Sequence, residues 1–152
     1  MSAIGSICRG SSTGGTTRRA LMSCGIEKGM RVLDIGCGSG DVTWLAGVLV
    51  GPSGSVLGID TDADSVGSAR ERAAQVGVTN VAFDVGEAAS FAQPECFDAL
   101  VARFLLMHQP SPADTLVQAA RSVRPGGIVM VLESHMVGLL DTQHSLPRSA
   151  AY

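Results

Sequence analysis

Val32-Leu33-Asp34-Ile35-Gly36-Cys37-Gly38-Ser39-Gly40-Asp41 leads an apolar segment into three closely spaced glycines and then into an acid. The apolar part, from Arg31 to Ile35, reads as a short strand between Gly29 and Gly36. After the glycines, Val42, Leu45, Ala46 and Leu49 recur at helical spacing, so Asp41–Val50 reads as a helix that Asp41 caps and Gly51-Pro52 stops. A strand passing through Gly-x-Gly-x-Gly into a helix is a sharp turn that lets a ligand lie against the main chain. The first free N–H groups of the helix face the same place. Any tight strand-to-helix turn could use such glycines, so the loop alone does not name a ligand.

The same alternation continues on either side. Ser55–Ile59 is a second strand, and Ala63–Gln75 a helix with Asp62 as N-cap and Gly77 as C-cap. In that helix Val66, Ala69, Ala73 and Val76 are apolar, while Arg70, Glu71 and Arg72 face outward. Val81–Val85 and Phe97–Ala102 are strands three and four. Ser111-Pro112-Ala113-Asp114 starts a helix whose core face is Leu116, Val117, Ala120 and Val123. Arg124-Pro125-Gly126-Gly127 is a stop and turn before strand five, Ile128–Leu132. Upstream, Thr16–Cys24 is a short helix. The strands are apolar on both faces, as a parallel sheet covered by helices requires. The class is α/β. Three segments follow: a flexible lead over 1–15, one domain over 16–133, and an irregular tail over 134–152.

Composition narrows the function. The net charge of −3 and pI of about 5.5 argue against a dedicated nucleic-acid binder. No apolar run approaches the ~20 residues of a spanning helix. Cys8, Cys24, Cys37 and Cys96 show no C-x-x-C spacing, so a metal site is not expected and reduced thiols in the cytoplasm are. Residues 1–25 are rich in Ser, Thr and Gly and carry Arg9, Arg18 and Arg19 without an acid, a composition akin to a transit peptide. Their glycines make a poor amphipathic helix, which favours the cytoplasmic reading.

Two acids sharpen the glycine loop. Asp34 lies near the end of an apolar strand, where a carboxylate is costly without partners and would repel a pyrophosphate. Asp60 ends the next strand, 20 residues after Gly40, where an acid suits a grip on two ribose hydroxyls. Both flank one crevice at the carboxyl ends of the strands.

With these residues the chain resembles the class I S-adenosylmethionine-dependent methyltransferases, in their small-molecule branch, similar to the quinone-biosynthesis enzymes. Val32–Asp41 looks like the first motif and Val56-Leu57-Gly58-Ile59-Asp60 like the second-strand motif. Gly86-Glu87-Ala88 looks like the Gly-Asp-Ala segment, with Glu in place of Asp. Phe97–Val101 followed by Arg103 and Leu105–His108 looks like the fourth-strand motif, and Arg124–Gly127 like the turn before strand five. The resemblance covers about residues 26–133 and implies a Rossmann-like three-layer sandwich with parallel order 3-2-1-4-5. It implies methyl transfer from S-adenosylmethionine, with S-adenosylhomocysteine as product, to a small organic acceptor.

The implied cofactor site is Asp34, Gly36, Cys37, Gly38, Ser39 and Gly40 around the methionine part, with Asp60 on the ribose and Thr61 beside it. Glu87 and Ala88 would read the adenine, and Arg103 and Phe104 line the methionine end. No catalytic residue is assigned, since methyl transfer needs chiefly positioning. His108 is read as a packed histidine, and Trp44 as a core or interface residue. After strand four the chain reads Ala102-Arg103-Phe104-Leu105, not Asn/Asp-Pro-Pro-Tyr/Phe, so exocyclic and amide nitrogens are disfavoured as acceptors.

The family's last two strands are missing from this reading. Strand five would then be an exposed edge, open to a tail or a second copy of the chain. Two rivals remain: a methyltransferase-like module without catalysis, and a nicotinamide dinucleotide-binding domain. The latter's Gly-x-Gly-x-x-Gly fingerprint would need glycine at position 41, which is Asp41.

Overall fold

A computed structural model describes residues 6–9, 14–91 and 93–133. Its elements are β1 (Ser6–Arg9), α1 (Gly14–Ser23), β2 (Arg31–Ile35), α2 (Asp41–Val50), β3 (Ser55–Asp60), α3 (Ala63–Val76), β4 (Val81–Val85), β5 (Phe97–Arg103), α4 (Pro112–Ala120) and β6 (Val123–Leu132). A single 3₁₀ turn, Leu106–His108, lies between β5 and α4. One six-stranded sheet runs β1-β6-β5-β2-β3-β4, and every pairing is parallel. Without β1 this is the expected order 3-2-1-4-5.

The added strand corrects two expectations. Ser6–Arg9 belong to the sheet instead of a flexible lead. They pair with Ile128–Val131, so the strand-five edge is covered from the chain's own N-terminal side. The irregular tail expected over 134–152 lies outside the described residues.

Alternation along the central strands separates two cores. Val32, Val56, Ala99, Val101 and Met130 face one cluster, into which α1, α2 and α3 send Leu21, Val42, Ala46, Val66 and Ala69. Leu33, Ile35, Ile59, Leu100 and Val129 face the other, with Ala119 of α4 and Ala88. These are the three layers. Val32, Leu33, Ile35, Ile59 and Leu100 are wholly buried, which at ~25 cal/mol per Å² makes this strand centre the main source of stability. Val76 and Val117, read from periodicity as core, are mostly exposed. Each sits near the edge of its helix's apolar stripe, where a single sequence window cannot tell contact from overhang.

The Arg124–Gly127 turn lies inside β6 rather than ahead of it. Val123 pairs with Phe97 and Ile128 with Ala99, so the intervening residues bulge out. Val123, expected on the last helix, is therefore a strand residue. Gly127 fits the bulge because a Cβ there would lie 2.6 Å from the Asp98 carbonyl oxygen. The Asp98 carboxylate fastens the arrangement, accepting from the Arg31 amide at 2.7 Å and from Arg124 Nε at 2.6 Å. Burial works against its charge, but these bonds prevail and hold its carboxyl below the usual range.

Candidate functional site

The carboxyl ends of β2, β3 and β5 meet at the glycine loop. Gly36 and Cys37 donate their amides to the Ile59 carbonyl at 2.8 and 3.0 Å, which pins the loop to β3. The Asp60 carboxylate completes the junction. Its Oδ2 accepts from the Gly38 amide at 2.7 Å and its Oδ1 from the Asp62 amide at 3.0 Å. An ionised carboxylate offers about four acceptor positions, so roughly two stay open for hydroxyl donors. Asp62 caps α3 as expected, accepting from the Asp64 amide and the Ser65 hydroxyl. Asp60 is thus not spent on the cap.

Asp34 lies beneath the loop and is buried. Thr43 Oγ1 donates to its Oδ2 at 2.6 Å. Burial pushes the Asp34 carboxyl up to about 7, while the Thr43 bond and the Arg103 charge pull the other way and Asp60 adds to the rise. The sequence reading missed Thr43 and Gly58, which make this pairing. Gly58 stands opposite Asp34 in the sheet register. A Cβ at Gly58 would lie 2.7 Å from Thr43 Oγ1 and 3.0 Å from Cys37 Sγ. An isolated glycine inside a strand and a lone polar residue on an apolar helix face were the available signals.

Cys37 is buried, and its thiol is pushed up to about 12 by burial and by the charges of Asp34 and Asp60. It remains protonated and is no nucleophile. Gly36, Cys37, Gly38, Ser39, Asp41, Val42, Arg103 and Phe104 line a pocket of about 160 Å³. Ligand pockets run from about 300 Å³ upward, so this one accommodates one end of an elongated molecule. The Arg103 guanidinium stacks over the Phe104 ring, 5.3 Å from its centroid, and the pair forms the wall facing the loop.

The three glycines differ. A Cβ on Gly36 would lie 2.8 Å from Leu105 Cδ1, and one on Gly40 2.6 Å from Phe83 Cε1. At Gly38, with φ +52°, a Cβ would meet no atom within 4 Å. Only Gly38 has its bare side toward open space while lining the pocket.

The remaining expected site residues lie outside this pocket. Thr61 is exposed beyond Asp60. The Gly86 amide donates to the Asp60 carbonyl at 2.9 Å, which puts Glu87 and Ala88 next along the chain from the β3 tip. Ala88 is buried, and Glu87 is exposed with its carboxylate accepting from Ser90 Oγ at 3.3 Å. His108 is exposed rather than packed, because it ends the 3₁₀ turn on its solvent side. Trp44 is half-buried; its ring is tilted against Phe83 with centroids 6.5 Å apart, and Arg72 lies over it. Among the described residues no cluster of His, Cys, Asp or Glu could hold a metal ion, and no helix is long and apolar enough to cross a membrane.

Residues 26–150 match the methyltransferase-domain family. The ubiquinone/menaquinone biosynthesis C-methyltransferase UbiE of Pseudomonas savastanoi pv. phaseolicola is 36% identical over 118 residues, covering 76% of this chain and 46% of that protein. The demethylmenaquinone methyltransferase of Staphylococcus aureus is 32% identical over 118 residues, covering 77% of this chain and 48% of its own length. The chain therefore spans about half the length of the curated relatives it matches. A SAM-dependent methyltransferase from Aquifex aeolicus superposes with a TM-score of 0.67 at 27% identity, covering 72% of this chain and 58% of that one.

Proposed function

The chain belongs to the methyltransferase-domain family, and from that premise we propose that it binds S-adenosylmethionine and moves the methyl group to a small organic acceptor. The single observation that carries this reading is the pairing of an unfilled glycine face at Gly38 with a carboxylate, Asp60, that still has acceptor positions free. The site suits a cation better than a phosphate. Asp60 stands at the loop and Asp41 lines the pocket, with the Asp34 carboxyl buried beneath, so a pyrophosphate would meet two acids.

The cofactor's sulfonium supplies the activated methyl group and its leaving group. The chain's residues do the positioning. Asp60 accepts from the two ribose hydroxyls while keeping the Gly38 amide, so the sugar and the loop are fixed by one group. Gly38 lets the methionine part approach the main chain. Asp34, ionised by the incoming positive charge, holds the loop from below. Glu87 and the backbone at Ala88 read the adenine, and Arg103 with Phe104 closes the methionine end. No side chain is assigned a proton-transfer role.

The names of the two curated relatives support a quinone-precursor ring as the first acceptor to try. Cys37 and Cys96 stand as thiols, which supports a reducing, cytoplasmic setting. Separate calorimetric titrations with S-adenosylhomocysteine and NAD test the cofactor reading. Heat is expected with the first alone. Asp60→Ala removes both ribose bonds and should weaken S-adenosylhomocysteine by about 150-fold or more, at ~1.5–3 kcal/mol per charge-assisted bond. Heat with NAD alone overturns the reading, and silence with both favours a non-catalytic module.

A further inference from the structure

The pocket wall opposite the glycine loop is built from a segment in an unfavourable conformation. Phe104 has φ +56°, a region that bulky L residues rarely adopt and that persists only where the surroundings hold it. The next residue, Leu105, packs so closely on Gly36 that a Cβ there would lie 2.8 Å from Leu105 Cδ1. Two bonds from the end of β6 hold this segment in place. The Phe104 amide donates to the Leu132 carbonyl at 2.8 Å, an ordinary continuation of the sheet. The Leu106 amide donates to Glu133 Oε1 at 2.9 Å, and this bond depends on one side chain.

Glu133 is an expensive way to make that bond. Its other oxygen, Oε2, is buried and has no hydrogen-bond partner among the described residues. A buried carboxylate oxygen without a donor works against stability. An apolar side chain at 133 would avoid that cost but lose the bond, so what the residue adds is its hold on the Leu106 amide.

We infer that Glu133 is a positioning residue for the cofactor pocket: by holding the Leu106 amide it keeps Phe104 and Leu105 against the glycine loop. This deepens the cofactor reading and rests on it. Glu133 acts through the wall and touches neither donor nor acceptor in this account.

Three variants of the full chain test it, with S-adenosylhomocysteine as the probe, hydrogen exchange at the Leu106 amide, and a thermal melt to show that each variant folds. Glu133→Gln keeps an oxygen for Leu106 and should bind within about threefold of the parent. Glu133→Ala removes the acceptor, and Glu133→Asp keeps the charge but falls short. Both should bind about tenfold or more weakly, the usual effect of losing a charge-assisted bond, with Leu106 exchange accelerated to a similar degree. Should the alanine variant fail to fold, the aspartate variant carries the test. Parent-like affinity in both Ala and Asp variants overturns the inference while leaving the cofactor reading intact. So does a Gln variant as weak as Ala, because charge and not the held turn would then matter. A parent chain that takes up no S-adenosylhomocysteine overturns the cofactor reading and this inference together.

Discussion

Asp34→Asn should make the protein more stable at pH 8 and a poorer binder of S-adenosylhomocysteine. Asparagine can still accept from Thr43 Oγ1, which donates to Asp34 at 2.6 Å, but it carries no charge into the buried layer. With the Asp34 carboxyl raised from 3.8 to about 7, the folded chain keeps a proton between these values that the unfolded chain has released. The stability associated with this group is therefore fully present below about pH 4 and is lost as pH rises to about 7. About three pH units correspond to ~4 kcal/mol of penalty at pH 8, most of which the asparagine variant should recover. Chemical denaturation at pH 4 and pH 8 measures it: the two proteins should match at the lower pH and diverge at the higher. Binding shows the opposite sign. The ammonium group of S-adenosylhomocysteine favours ionised Asp34, so affinity in the parent should fall up to tenfold per unit below about pH 7, and the variant should show a flat, weaker profile. A variant that binds like the parent at every pH would show that Asp34 only organises the loop.

Gly38→Ala and Gly40→Ala should fail in different ways. At Gly40, φ is +87° and the new methyl would lie 2.6 Å from Phe83 Cε1, inside a ring that is almost fully buried. Overpacking of ~1–3 kcal/mol and left-handed strain of ~1–2 kcal/mol add to a loss of about 2–5 kcal/mol. Gly40→Ala is therefore a folding mutant. At Gly38 only the strain applies, about 1–2 kcal/mol, since the methyl meets no atom of the protein. Its cost appears in binding, where a methyl on the pocket lining should weaken S-adenosylhomocysteine by about 30-fold or more, as for any close approach that lost its glycine. Urea denaturation and calorimetry on both variants separate the two effects. Equal losses of stability would contradict the distinction between them.

The contrast between these glycines also shows what the sequence could convey. Gly36, Gly38 and Gly40 look alike in a Gly-x-Gly-x-Gly string. Their different duties depend on Leu105, from the loop after β5, and Phe83 of β4, which local spacing cannot assign. The parallel strands and the two acids were legible because both follow from period and position, apolar runs at strand length and carboxylates at strand tips, whereas the strand order came from the family resemblance. Asp34's partner was not, because Thr43 reaches it only through the space left by Gly58. β1 escaped notice because Ser6–Arg9 are too few to show a period, and its partner lies more than a hundred residues away. Pro125 and its neighbouring glycines announced a turn correctly, but a bulge within a strand and a turn before one share the same composition.

The central claim is that Asp60 serves the loop and a ribose at once. A crystal structure of the chain with S-adenosylhomocysteine tests it most directly. The account predicts both ribose hydroxyls on the Asp60 carboxylate, the Gly38 amide still bonded to it, and the amino-acid end of the ligand in the pocket between Gly38 and Phe104. A ligand bound elsewhere, or an Asp60 carboxylate turned away from the sugar, would contradict it.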